Sequence, residues 1–323
     1  MGVIFKSFGH FIPESRVTNK ELAERFGVTE EWILERTGIE ERRYFESGAT
    51  SDMAVLAANN CFEHTDVKPE EIDLLIVATM TPDYQCPSTA AIVHKKLNLI
   101  NSSGFDLMAA CSGFLYALEL GQSLIEAGKY KNILIAGADK MSSCIDLNDR
   151  KTTLVLSDGA GVCLLQHSET ENQIIDTFCK LQGNLAEDIV VRQGGSACPL
   201  NETNIHEQDH YLRFESREIF QNGVYLFQHA IEKVISKNNL TLNDFDLIIP
   251  HQANKRIIEK LSENLKVPIS KFVINIEKIG NSSAATVPIA MSELFAQERL
   301  KGKILTVSIG AGFTYSASIL QFD

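Results

Sequence analysis

Apolar and polar positions follow two regimes along the chain. Residues 73–79 (DLLIVAT) form a continuous apolar run, the pattern of a strand buried on both faces. Residues 132–138 (NILIAGA), 161–166 (GVCLLQ), 246–250 (DLIIP), 272–276 (FVINI) and 304–309 (ILTVSI) read the same way. Helical spacing runs between them. The clearest case is 112–127, where Phe114, Leu115, Leu118, Leu124 and Ile125 recur at helical intervals and Gly128 supplies a stop. This alternation predicts a layered α/β architecture.

The chain also repeats itself. DLLIVATM from Asp73 matches DLIIPHQA from Asp246, an offset of 173. FDLMAACSG from Phe105 matches FVINIEKIGNSS from Phe272, an offset of 167, and ILIAGAD from Ile133 matches ILTVSIGAG from Ile304, an offset of 171. DGAGVCLLQ and GAGFTYSASILQF read as paired hairpin strands. The offsets predict two similar halves, 1–170 and 171–323; chance likeness of short apolar strands is the alternative. In the two-half reading, the turn holding Cys111 is the counterpart of the turn holding Asn281. The two turns then face each other across a pseudo-twofold axis.

Composition narrows the function classes. A chain of 323 residues, 44% hydrophobic and 22% charged, buries enough surface to need no disulfide or metal for stability. The net charge of −12 argues against nucleic acid as the main partner, because phosphate binding needs a basic face. The seven cysteines are scattered, odd in number and without a C-x-x-C, which predicts a reduced, cytosolic protein with no structural zinc. The N-terminus has no signal-peptide pattern, and no run of about 18 apolar residues predicts a membrane span.

Three residues stand in contexts that suggest chemistry. Cys111 follows a strand-like run and opens a helix, where unpaired N–H groups and the dipole favour the thiolate, the reactive form. An arbitrary cysteine is more often a buried structural one. That reading holds for Cys61, Cys144, Cys163 and Cys179, which lack the context. His251 directly follows the strand DLIIP, and strand ends are where α/β sheets place functional groups. Asn281 lies in IGNSSAATVP, where small residues predict close packing; an ordinary turn asparagine is the alternative. His206 and His210 are four apart in a polar loop, where chance outweighs a metal site. GGS at 194–196 and GAG at 310–312 fit no nucleotide-binding pattern, and SDGAG at 157–161 reads as a tight turn between strands.

Taken together, EEWILERTGIEERR (30–43), AACSGFLYAL (109–118), SDGAG (157–161), HQANKRII (251–258), GNSSAATVP (280–288) and GAGFTY (310–315) resemble the β-ketoacyl-acyl-carrier-protein synthase III family, over nearly the whole chain. The resemblance implies a homodimer with a thiolase-like α/β fold of two pseudo-symmetric halves in five layers, αβαβα. It implies decarboxylative condensation of an acyl-CoA primer with malonyl-acyl carrier protein, with no cofactor or metal. Cys111, His251 and Asn281 would be the catalytic residues, with backbone N–H groups of Cys111 and Ala311 as the oxyanion hole. CoA would bind at Trp32, Arg36, Thr37, Arg150 and Asn254. Phe220 would sit at the mouth of the acyl pocket, and Cys86 would reach into that pocket from the partner subunit. An acidic carrier protein would dock on Lys255, Arg256 and Lys260.

The chain departs from the family pattern at Cys86, where many members carry a bulky aromatic, which implies a deeper pocket. It departs also at Ala311, where glycine is usual, and at Ser216 and Arg217, which replace a glycine-containing pattern. A condensing enzyme of a specialised lipid or polyketide pathway would use the same three residues. A thiolase would need a second cysteine in 308–316 (SIGAGFTYS), which has none. A hydroxymethylglutaryl-CoA synthase would need a glutamate beside the cysteine, for which there is no convincing candidate. A non-catalytic chain-length subunit would usually lack the cysteine.

Overall fold

The structure is a computed structural model that describes residues 2–214 and 219–323; Ser216 and Arg217 lie outside the described residues. Its first main sheet holds β1 (Gly2–Phe11), β2 (Leu74–Ala78), β3 (Ser103–Leu107), β4 (Asn132–Lys140) and β5 (Asp158–Ser168), in the order β1-β5-β4-β2-β3. The second holds β6 (Ile174–Leu181), β7 (Leu247–Pro250), β8 (Gly302–Gly310) and β9 (Thr314–Phe322), in the order β7-β8-β9-β6. The helices that build the layers and the site are α1 (Glu30–Thr37), α2 (Thr50–Phe62), α3 (Thr89–Leu97), α4 (Gly113–Glu126), α5 (Ile219–Lys237), α6 (Lys255–Leu265) and α7 (Thr286–Ala296).

These elements stack in five layers. Helices α2 and α3 cover the outer face of the first sheet, α4 and α7 lie between the sheets, and α5 with α6 covers the second. The middle helices meet apolar surface on both sides, so they are apolar nearly all round. In α4, Phe114, Leu115, Ala117, Leu118, Gly121 and Ile125 are buried; in α7 every residue from Thr286 to Ser292 is. The outer helix α6 is amphipathic instead, burying Ile257, Ile258 and Leu261 and turning its charges to solvent. Helix α4 stops where the sequence predicts. Gly128 takes a left-handed φ of 70° and its N–H bonds to Ile125, while Lys129 N–H reaches back to Leu124, a Schellman closure. Among the described residues, no helix is long and apolar enough to cross a membrane.

The two sheets repeat one plan. In the first, β2 runs parallel to β4 and β3, and β5 and then β1 follow antiparallel. In the second, β7 runs parallel to β8, and β9 and β6 follow antiparallel. The fifth position differs from the sequence expectation. Residues 272–276 do not form a strand: Phe272 makes one isolated bridge to Ile248, and a helical turn runs Ile276–Ile279. The buried Gln252 side chain is the reason. Its Nε2 donates to Val273 C=O at 3.0 Å, and its Oε1 accepts from Asn275 and Ile276 N–H at 3.2 and 3.3 Å, taking the bonds a strand ladder would use.

SDGAG is also not a turn. Strand β5 already begins at Asp158. The glycines serve close approach by α7: a Cβ on Gly161 would fall 2.6 Å from Ile289 N. Gly161→Ala should therefore overpack this contact and lower stability by about 1–3 kcal/mol. A urea titration would show a lower midpoint at unchanged slope. Gly183→Ala, where a Cβ meets nothing within 4 Å, should leave the midpoint unchanged or slightly raised. Equal midpoints for the two variants would refute the close-approach account.

Candidate active site

Two similar turns form the centre of the molecule. After β3, Ala110 adopts a left-handed φ of 46°, residues Ala110–Ser112 make a tight helical turn, and α4 follows. In the second half, Ser283 adopts a φ of 54°, residues Ser283–Ala285 make the same turn, and α7 follows. The turns pack against each other, so Cys111 in one comes close to Ser283 in the other. A third turn closes the arrangement. Thr314 Oγ1 donates to Ala109 C=O at 2.8 Å, and Ser112 Oγ donates to Thr314 C=O at 3.0 Å. Gly310 is needed at this contact, since a Cβ there would lie 2.7 Å from Cys111 N.

Cys111, His251 and Asn281 line one cavity of about 670 Å³, together with Ala311, Asn254 and Phe220. One side of this cavity is apolar, made by Met80, Met141, Leu156, Ile189, Leu212 and Phe214. His251 stands just past β7, its N–H bonded to Val307 C=O at 2.7 Å and its Nδ1 2.6 Å from Thr286 Oγ1. Asn281 is held by the backbone: its N–H bonds to Val155, and Ser157 N–H bonds to its C=O. Its Oδ1 accepts from Ser283 N–H at 2.9 Å, which leaves Nδ2 with only a long 3.4 Å contact to Ala253 C=O. The amide thus presents a donor to the cavity.

The electrostatics differ from the sequence expectation at Cys111. Burial pushes the thiol up to about 12; the Ser283 hydroxyl opposes this and the Asp139 charge adds to it. A helix terminus contributes only about 0.3–1 kcal/mol at exposed sites, so the dipole does not overcome desolvation in the closed site. Burial also lowers His251 to about 3, which keeps its ring neutral. Asp139, at the end of β4, is fully buried. Its Oδ1 accepts from Thr79 Oγ1, Met80 N–H, Thr81 N–H and Thr81 Oγ1, and its Oδ2 accepts from Ala284 N–H at 3.1 Å.

The other expected residues fall in varied places. Trp32 is flanked by two guanidinium groups, Arg36 at 4.5 Å and Arg150 at 4.9 Å from the ring centre. Asn254 caps α6 and its Nδ2 donates to Arg36 C=O at 3.2 Å, linking this cluster to the cavity wall. Thr37 is different. It is buried, its hydroxyl donates to Ile33 C=O and accepts from Ile39 N–H, and it serves the end of α1 rather than a ligand. Cys86 is exposed and absent from the cavity wall of its own chain. Lys255 pairs with Glu277 at 2.8 Å and Lys260 with Glu263 at 2.9 Å. Arg256 lies over the Phe220 ring, 5.9 Å from its centre.

The sequence reading passed over Thr286, Ser283 and Asp139. Thr286 and Ser283 lie inside the quoted GNSSAATVP motif, but nothing local marks them apart from its other small residues. Asp139 ends a plain apolar strand, and its partners are 58 to 145 positions away.

Comparisons with known proteins agree with this architecture. Residues 105–183 match the family model for 3-oxoacyl-[acyl-carrier-protein (ACP)] synthase III, and residues 235–322 match the model of its C-terminal part. The chain is 39% identical to a β-ketoacyl-[acyl-carrier-protein] synthase III of Koribacter versatilis, over 98% of this chain and 96% of that protein. It superposes on 3-oxoacyl-[acyl-carrier-protein] synthase III from Aquifex aeolicus with a TM-score of 0.91 and 36% identity, covering 99% of this chain and 100% of the other. It is also similar to the priming β-ketosynthase of the R1128 polyketide pathway, with a TM-score of 0.91, 30% identity, and 99% and 96% of the two chains covered. With a thiolase-like fold and full-length identity at this level, the chain belongs to the 3-oxoacyl-[acyl-carrier-protein] synthase III family of condensing acyltransferases.

Proposed function

We propose that the chain joins an acyl-CoA primer to malonyl-acyl carrier protein, with loss of carbon dioxide, and so begins fatty acid synthesis. The observation that carries this reading is that Cys111, His251 and Asn281, far apart in sequence, line a single cavity. Cys111 Sγ attacks the primer thioester, the Cys111–acyl bond forms, and CoA leaves with the thiol proton. Backbone N–H groups of Cys111 and Ala311 hold the oxyanion. The malonyl thioester then enters. His251 Nε2 and Asn281 Nδ2 donate to its carbonyl oxygen as carbon dioxide departs, stabilising the enolate. That carbanion forms the new C–C bond to the acyl carbon, and Cys111 leaves and regains a proton. Two such donors, each worth about 3–4 kcal/mol, do here what a metal does elsewhere.

The binding assignments are part of the same proposal. Trp32, between Arg36 and Arg150, offers a stacking face for adenine, and Asn254 sits where the pantetheine arm would pass. Of the three cations considered for carrier docking, Lys255 and Lys260 are paired with carboxylates, so the proposal narrows to Arg256 beside Phe220. The protein would act as a homodimer whose partner subunit contributes Cys86. The edge strand β3, with Phe105 37% exposed, and Met108 just after it, 73% exposed, support such a contact. A boundary near residue 170 is supported by β5 ending at Ser168 and β6 starting at Ile174. A specialised priming reaction is the second reading. The small Cys86 favours it, since a longer or branched primer would fit.

Intact-protein mass spectrometry with acyl-CoAs from acetyl to dodecanoyl should show one acyl adduct, absent from Cys111→Ala, and the best primer separates the two readings. His251→Ala and Asn281→Ala should still load the acyl group but condense roughly 10²–10³-fold more slowly. Failure of every primer and acyl-carrier thioester to load would sink the proposal.

The raised thiol gives a pH test. A thiol titrating near 12 is almost wholly protonated at pH 7, so the thiolate fraction rises tenfold per pH unit. Iodoacetamide labelling of Cys111 in the resting protein should therefore climb without a plateau through pH 10. A plateau below pH 8 would mean that the helix dipole prevails over burial. For docking, Arg256→Glu should raise KM for the malonyl carrier while acyl-CoA loading stays constant; an unchanged KM would remove Arg256 from the docking surface.

A further inference from the structure

The condensation reading requires His251 to offer a proton from Nε2, and a neutral imidazole carries only one. What places that proton is a question of partners. His251 is 1% exposed and Thr286 is fully buried, so water does not decide it. The contact between His251 Nδ1 and Thr286 Oγ1 measures 2.6 Å. The same hydroxyl oxygen lies 3.2 Å from Ser283 C=O and 3.4 Å from Gln252 N–H. The Gln252 N–H can only donate, so it uses a lone pair of Oγ1. Nδ1 and the Ser283 carbonyl are left to compete for the single hydroxyl proton.

Two observations settle the competition. The Ser283 carbonyl is the more distant acceptor, 3.2 Å from Oγ1 against 2.6 Å for Nδ1, and it shares its oxygen with the backbone N–H of Thr286. The other is the length of the shorter contact. A bond of 2.6 Å falls in the usual range for an O–H donor, about 2.5–3.0 Å, and below that for an N–H donor, about 2.7–3.2 Å. The hydroxyl is therefore the donor and Nδ1 the acceptor. The ring proton then resides on Nε2, the nitrogen left over for the cavity that His251 lines.

We propose that Thr286 is a positioning residue that fixes the tautomer of His251, so that Nε2–H is the donor presented to the substrate thioester. It touches no reacting atom and acts through the imidazole alone. The histidine follows the strand β7, whereas the residue that orients its proton opens α7, just after the turn that carries Asn281. The placement of both donors thus depends on one segment, 281–286. This inference rests on the condensation reading above.

The test compares Thr286→Val, which keeps the shape and removes the hydroxyl, with Thr286→Ser, which keeps the hydroxyl. Thr286→Val should lower kcat for condensation roughly 10²-fold, the effect of losing one oxyanion donor. KM and acyl loading of Cys111 should stay unchanged, and Thr286→Ser should recover activity to within a few fold. Long-range proton–nitrogen NMR of histidine-labelled wild-type protein should find Nδ1 unprotonated and Nε2 protonated at His251, with this pattern lost in Thr286→Val. A protonated Nδ1 in the wild type would overturn the proposal, even if the valine variant does not fold. His251→Ala separates the two levels. If it condenses normally, the condensation reading itself fails. If it is inactive while Thr286→Val is fully active, only the role of Thr286 fails.

Discussion

One buried carboxylate ties the turn before α7 to the first sheet. Asp139 ends β4 in the first half, and its two oxygens accept from the loop after β2 and from Ala284, in the turn before α7. Burial alone drives a carboxyl toward its neutral form. Five converging donors work the other way, because an ionised carboxylate is the state that accepts from all of them. Losing any of these donors would leave a costly buried acceptor. The network therefore fixes the Ser283–Ala285 turn against the first sheet, and with it the distance between the cysteine turn and the asparagine turn. The same charge stands one hydroxyl away from Cys111, where it adds to the cost of forming a thiolate.

That arrangement divides the work between burial and hydrogen bonding. Burial holds the resting thiol protonated and the imidazole neutral, so the site carries little charge before a substrate arrives. Hydrogen bonds then do the directional part: Oδ1 of Asn281 is occupied by Ser283 N–H and turns Nδ2 outward, while Thr286 occupies one side of the imidazole. Both side chains are thus held by fixed partners. Such preorganisation matters because a donor that is already aimed needs no reorganisation when charge develops.

Much of this was legible in the sequence. Five of the six apolar runs fall on strands, β2, β4, β5, β7 and β8, because strands covered on both faces must be apolar throughout. Two of the three offsets near 170 join strands that hold matching places in the two sheets, β2 with β7 and β4 with β8. Cys111 and His251 stood out because each directly follows a strand-like run, whereas Asn281 was marked only by the small residues around it and by the resemblance. What escaped notice was long-range. FVINI looks like a strand, and only the Gln252 side chain, more than twenty positions earlier, explains why it is not one. SDGAG looks like a turn, and only the closeness of α7 shows that its glycines are there for lack of a side chain. Lys255 and Lys260 look like free cations until Glu277 and Glu263 are seen beside them.

The shared cavity has a further consequence. Cys111, His251 and Asn281 occupy one chamber, so in the proposed reaction the primer's carrier would have to vacate the space before the extender's could fill it. Between those visits the only trace of the first substrate would be the group left on the sulfur. A protein working in this way would keep a one-molecule memory. The choice of starter would be written covalently before the partner that extends it arrives, so selectivity for one substrate could change without rewriting selectivity for the other.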